Sequence, residues 1–341
     1  PLLLATPAAN LRHQSPIVSL SRDGLSDQES ASWQKAMNAG ETQLRQNGYR
    51  PALAAFDQAR AIDGGHALLA FRRAQCLEGL GRWEEALESY QAACDLDGYR
   101  IRAPSSFARI MTEVAELAQP GSLVRLLDTA ALFAREAPHG ILGNESFFEH
   151  VHFNYSGNWR LATILARHIT REVLREPWQD ALVPTAADRD DLCGVIAQDH
   201  LVANGVINAM IQREPFNRAA DVGLQIQALQ SENKRLFQEI SPEEGAVVSS
   251  VSLAQLEPDI ILALASNFKN AGMFREAESV LRCGVRRQPW RPDLLLGLAD
   301  CEIRDGNVAQ ARVLLERARK WKPNRARLRE LQQWVDSAEP P

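Results

Sequence analysis

The chain is poor in cysteine. Its five thiols, Cys76, Cys94, Cys193, Cys283 and Cys301, are scattered over 341 residues without a Cys-x-x-Cys spacing. So odd and sparse a set excludes a disulfide framework and reads as reduced structural thiols. Long apolar runs are missing too, which excludes a transmembrane helix within this chain. No long Lys/Arg block appears, and the formal net charge is −5 with a pI near 5.9. Nucleic acid is therefore not an expected partner. No motif implies a cofactor. What remains, 45% hydrophobic and 24% charged residues, is ordinary for a globular protein of two or three domains. An initiating methionine is also missing. PLLLAT reads as an apolar strand already under way, so part of the protein is expected upstream of residue 1, with any signal or anchor in it. Cytoplasmic and membrane-anchored or periplasmic locations both stay open.

What is present is repetition. Pro258, Gly272, Ala277 and Pro289 recur 34 residues later as Pro292, Gly306, Ala311 and Pro323. Ala52, Leu53, Phe56, Ala59 and Asp63 recur at the same interval as Ala86, Leu87, Tyr90, Ala93 and Asp97. That interval is the tetratricopeptide period, a helix–turn–helix unit with small residues where paired helices touch. GRWEEALESYQAACDLD (81–97) reads as the second helix of such a unit.

Elsewhere the pattern changes. LLLAT (2–6) and SLVRLLD (122–128) read as buried strands, and PSSFARIMTEVAELAQ (104–119) reads as a helix between them. That helix is expected to be capped by Ser105 or Ser106 and stopped at Pro120-Gly121. Strand, helix, strand is a parallel crossover, with the first repeat pair inserted in it. The organisation expected is therefore a penultimate strand and exit loop (1–31), an inserted repeat pair (32–98), the remaining α/β portion (99–175), a helical region with a linker at 241–252 (176–252), and C-terminal repeats (253–341). A further helix is expected after Ser156 as its cap, and 186–240 reads as helical, interrupted at Pro215.

Chemistry concentrates in ILGNESFFEHVHFNYSGNWR (141–160). His150 and His152 form a His-x-His pair beside Glu149, amid Phe147, Phe148, Phe153 and Tyr155. A zinc site needs a third ligand, for which His139 is the nearest candidate, and the His-Glu-x-x-His spacing is absent. Glu149 and His152, three apart, could instead be an acid and the base it orients. A third reading is a hydrogen-bonded loop without chemistry, its polar groups partnered under the aromatic rings.

GNESFFEHVHFNYSGNWRLA, after a strand and before a helix, resembles the last block of the SGNH (GDSL-type) hydrolases, an acid-x-x-His motif with Glu149 in place of the usual Asp. More narrowly, the chain resembles bacterial SGNH-like proteins carrying tetratricopeptide repeats. LLLATPAANLRHQSPIVS (2–19), DLDGYRIRAPSSFARI (95–110) and QREPFNRAAD (212–221) fit that subgroup. The resemblance implies a mixed fold, the C-terminal portion of a three-layer α/β domain with inserted and appended helical repeats. It implies His152 as general base and Glu149 as its partner, with His150 and Asn144 supporting them. It also implies that the nucleophilic Ser and the oxyanion-hole Gly and Asn lie upstream of residue 1. Asn10 lacks the Gly-x-Asn-Asp setting and reads as a turn residue. Arg100 and Arg102 could bind an acidic group near the site, though arginines at a domain junction are more often salt-bridged surface residues.

Two functions follow as expectations. One is an esterase or deacylase fragment acting on an acylated or polysaccharide substrate. The other is a non-catalytic scaffold whose repeats bind a protein or peptide partner.

Overall fold

The structure, a computed structural model, describes residues 2–118, 124–193, 195, 197–250 and 260–337. The chain divides into two compact units, Pro1–Val183 with Met210–Ile226, and Pro184–Ala209 with Gln227–Pro341.

In the first unit, β1 (Leu2–Ala5) is followed by four helices: α1 (Asp27–Arg45), α2 (Tyr49–Ile62), α3 (Ala67–Gly79) and α4 (Trp83–Asp95). The sequence starts α1 through a capping box. Ser26 Oγ accepts from the Glu29 N–H, and the Glu29 carboxylate accepts from the Ser26 N–H at 2.8 Å. The repeated positions explain the packing. Ala52, Phe56 and Ala59 of α2 and Ala86, Tyr90 and Ala93 of α4 are all buried. A Cβ on Gly40 of α1 would lie 2.4 Å from the Phe56 ring, so the close contact of α1 with α2 needs glycine there. The repeated aspartates have a role of their own. Asp63 accepts from the N–H groups of Arg22 and Gly65, and Asp97 from those of Ile17, Val18 and Tyr99. Each repeat thus ends on a buried carboxylate that ties down the polypeptide beside it.

After α5 (Ser105–Glu116) comes β2 (Val124–Leu127), which pairs with β1 in parallel, Leu2 opposite Val124 through Ala5 opposite Leu127. The helices α6 (Thr129–Ala134) and α7 (Tyr155–His168) follow. The expected mixed fold, part of a three-layer α/β domain, is not found. Among the described residues the sheet consists of β1 and β2 alone, four residues each, and the chain is predominantly helical. A layer needs several strands with helices on both faces. Most apolar positions here instead recur with helical spacing and pack helix against helix. Two caps also differ from expectation: α5 begins after Pro104 without a side-chain cap, and α7 is capped by Asn154, whose Oδ1 accepts from the Gly157 N–H at 2.8 Å. Asn154 precedes Ser156 with the same capping chemistry, and the chain uses the earlier residue. The expected stop at Pro120-Gly121 and the repeated Pro258 lie outside the described residues.

The second unit contains α8 (Ala186–Cys193), most of α9 (Ala197–Ile211) and of α10 (Val222–Phe237), then α11 (Pro242–Ser250). The stretch expected as a linker is thus helical in its described part. Ser241-Pro-Glu-Glu244 is a capping box with proline at the first helical position: the Glu244 N–H donates to Ser241 Oγ, and its carboxylate accepts from the Ser241 N–H at 2.6 Å. Five helices close the unit: α12 (Ile260–Asn270), α13 (Phe274–Arg287), α14 (Pro292–Arg304), α15 (Val308–Arg319) and α16 (Arg325–Ser337). Leu264, Phe268, Leu281, Leu295, Leu315 and Val335 meet in one apolar core.

Candidate functional site

Residues 141–154 form a tight loop between α6 and α7. Phe147 bridges Phe153 in antiparallel fashion and their rings stack at 4.7 Å, with Phe133 of α6 against Phe153 at 5.0 Å. The Phe148 N–H donates to the His152 carbonyl at 2.9 Å, so Glu149-His150-Val151 is the turn of a miniature hairpin. Two glycines allow the loop to approach its surroundings. A Cβ on Gly157 would lie 2.1 Å from the Ser146 carbonyl, and one on Gly143 would lie 2.3 Å from His13 Nδ1.

Inside this turn Glu149 is 1% exposed. Its Oε1 accepts from the backbone N–H of His152 at 2.7 Å and is hydrogen-bonded to His152 Nδ1. Its Oε2 accepts from the His150 N–H at 2.6 Å and lies 3.3 Å from His150 Nδ1. Burial by itself would raise the carboxyl pKa. The hydrogen bonds from His150 and His152 outweigh it and hold the group at about 2, so Glu149 is an anion that its own turn solvates. The His152 side chain is 70% exposed. With Nδ1 engaged by Glu149, Nε2 is the ring nitrogen left to handle a proton.

The remaining site residues brace the turn. His150 is buried against Phe216 at 5.6 Å, and burial lowers its pKa, with Arg102 acting in the same direction. Its Nε2 is buried without a hydrogen-bond partner among the described residues. Asn144 Oδ1 accepts from Asn10 Nδ2 at 2.8 Å, the Asn144 N–H donates to His13 Nδ1, and the Asn144 carbonyl accepts from Asn154 Nδ2. Asn10 is fully buried, and its N–H donates to the His150 carbonyl at 3.0 Å. Arg102 is ion-paired as expected, but its expected surface position is corrected. It is 2% exposed, donating to the Asn10 and Gln14 carbonyls and lying 3.4 Å from Asp97. It brackets the loop 10–14 from within, and no periodic signal marks such a residue in sequence. His139 stacks on Trp83 at 3.6 Å. Among the described residues no group of three or more His, Cys, Asp or Glu side chains could hold a metal ion.

A second candidate surface lies within the C-terminal helices. A groove of about 790 Å³ has an apolar floor including Leu262, Ala265 and Leu296 and a charged wall of Lys269, Asp300 and Arg327. Lys269 Nζ donates to Asp300 Oδ2 at 2.7 Å, and Arg327 lies 3.1 Å from Asp300 Oδ1. Burial would raise the Asp300 pKa, and the hydrogen bond from Lys269 holds it lowered.

Two segments of the chain match known repeat families, residues 37–101 one and residues 258–335 another, both described as tetratricopeptide repeats. The chain carries tetratricopeptide repeats. Among solved structures, a similar chain is that of the TPR2AB domain–pHSP90 complex of yeast Sti1, at 12% identity over 91% of this chain and 99% of that one, with a TM-score of 0.25. That score transfers no geometry. No curated protein matches. None of these matches supports an SGNH hydrolase component; the tetratricopeptide part of the resemblance alone has support. No described helix is long and apolar enough to cross a membrane.

Proposed function

We propose that the chain is a protein-interaction scaffold whose C-terminal tetratricopeptide repeats take an extended peptide along the groove between Leu262 and Arg327. The observation carrying this reading is the groove itself, an apolar floor beside a wall of paired charges in a repeat array. Apolar floors bind side chains through burial, and polar walls fix direction and register. Peptides selected from a random 12-residue library on the full chain are the test. Such peptides should bind Leu296→Glu or Arg327→Glu at least tenfold more weakly. Equal binding to both variants, or a library that yields no binder, would sink the reading.

One observation favours a second activity, the exposed His152 held at Nδ1 by an ionised, buried Glu149. We infer that this pair supplies the general base and its orienting acid for ester hydrolysis, with His152 Nε2 taking the proton of a hydroxyl nucleophile. A fluorophosphonate probe should label the protein, and the labelling should vanish in His152→Ala. Labelling indifferent to that substitution, or none in a folded protein, removes this activity.

A further inference from the structure

Residues 212–221, QREPFNRAAD, connect α9 to α10 and belong to the first unit. They run largely exposed, yet two positions, Ala219 and Asp221, are buried. Asp221 is read as a ligand would be. Its two carboxylate oxygens accept from Nη1 and Nη2 of Arg72, each at 2.7 Å, in a bidentate fork. Its backbone N–H donates to Ser15 Oγ at 3.2 Å. Arg72 lies on α3, and the groups around it prepare it for this role. Glu41 of α1 accepts from Nε at 2.7 Å, and Gln75 of α3 accepts from Nη1 at 2.9 Å, so the guanidinium is oriented before a carboxylate arrives. Both side chains are about nine-tenths buried. Upstream in the same segment, Phe216 packs on the buried His150 of the Glu149–His152 turn. A stretch mostly exposed, held by one carboxylate, one small buried residue and one ring, has the form of a bound peptide rather than of a core element.

We propose that the face shared by α1 and α3 in the first repeat pair is a peptide site that reads an aspartate through Arg72, and that the chain's own residues 212–221 occupy it as a displaceable strap. The partner it fits is a peptide carrying the same chemistry, an aspartate two residues after a small apolar one. Such a partner enters by replacing the strap, and its arrival withdraws Phe216 from His150. This rests on the scaffold reading above and extends it to a second, self-occupied face.

The test uses the full chain and a fluorescent peptide of residues 212–225. Asp221→Asn keeps the shape and removes the charge, so the strap is loosened. That variant should bind the peptide at least tenfold more tightly than the wild-type chain, and Arg72→Gln added to it should abolish the gain. A peptide carrying Asn in place of Asp221 should bind neither. Absence of peptide binding by a folded Asp221→Asn chain would overturn the proposal. Should that variant fail to fold, hydrogen exchange on the wild-type chain decides. Amides of 213–221 exchanging at least tenfold faster than those of α3 mark a strap, whereas exchange in step with α3 marks a core element and overturns it. Library peptides that depend on Leu296 should be indifferent to Arg72→Gln, so failure here and failure of the C-terminal groove are told apart.

Discussion

The two repeat regions of this chain share a 34-residue framework and differ in what they bury with it. In both, alanines at the repeated positions disappear completely: Ala52 and Ala86 in the first pair, Ala277 and Ala311 in the second. Around them the C-terminal helices bury mainly leucine, with Glu302 as a buried acid held by Arg282 and Asn307. The first pair buries more charge, with Asp63, Asp97 and Arg72 inside and Arg102 buried just beyond it. Those charged groups hold non-repeat polypeptide: residues 10–22 and the 212–221 segment. The lesson is a division of labour. Positions that obey the period build the array, and buried polar residues mark where something else is attached to it.

The largest effect should come from the cores. Phe56 in the first pair and Phe268 in the second are fully buried. Truncation of either to alanine should cost about 3–5 kcal/mol. Because the two lie in separate apolar clusters, calorimetry should show Phe56→Ala lowering the transition of the first unit and Phe268→Ala that of the second. One common transition shifted alike by both variants would break the comparison at its root.

A smaller effect isolates the charge that the first unit carries in its Glu149–His152 turn. Glu149 is held at about 2 against an ordinary value of 4.5. Its folded pKa is depressed, so the stabilisation is fully present above about pH 4.5 and is lost as pH falls towards 2. The amount at stake is about 3 kcal/mol at most. His150, whose pKa burial lowers, adds to acid sensitivity in the same direction below its ordinary 6.5. Denaturant titrations of Glu149→Gln should thus be less stable than wild type at pH 7 and should converge with it near pH 2. A constant difference across that range would show that the carboxylate's charge contributes nothing.

How far the sequence foretold this depends on what kind of signal each feature leaves. Periodic features were legible, because Phe56, Tyr90 and Leu281 repeat at intervals that only a stacked helix array satisfies. The Glu149–His152 contact was legible as well, since three residues in a tight turn bring the two side chains together. The overall α/β architecture was not. It rests on two short apolar runs and a local motif, and short runs do not count strands. The capping box at Ser241 was present in the sequence and was overridden by its polar composition. Arg102 and Arg72 were illegible for a different reason. Their partners Asp97, Gln14 and Asp221 sit at separations of 5, 88 and 149 residues, and no pattern links them before folding.

The smallest effect tests whether the shared framework is energetically the same in both regions. Gly81 and Gly306 turn the chain between paired helices with φ of 74° and 78°, and a Cβ at either would meet nothing within 4 Å. Alanine there should therefore cost only the left-handed backbone conformation, about 1 kcal/mol, with no packing term. The two losses should agree within the few tenths of a kcal/mol expected of independent sites. Agreement would mean that the turns are interchangeable parts and that every difference between the regions resides in what the buried polar residues hold. A markedly larger loss at Gly81 would mean that the attachments of the first pair also constrain its turn, and the division between array and attachment would have to be redrawn there.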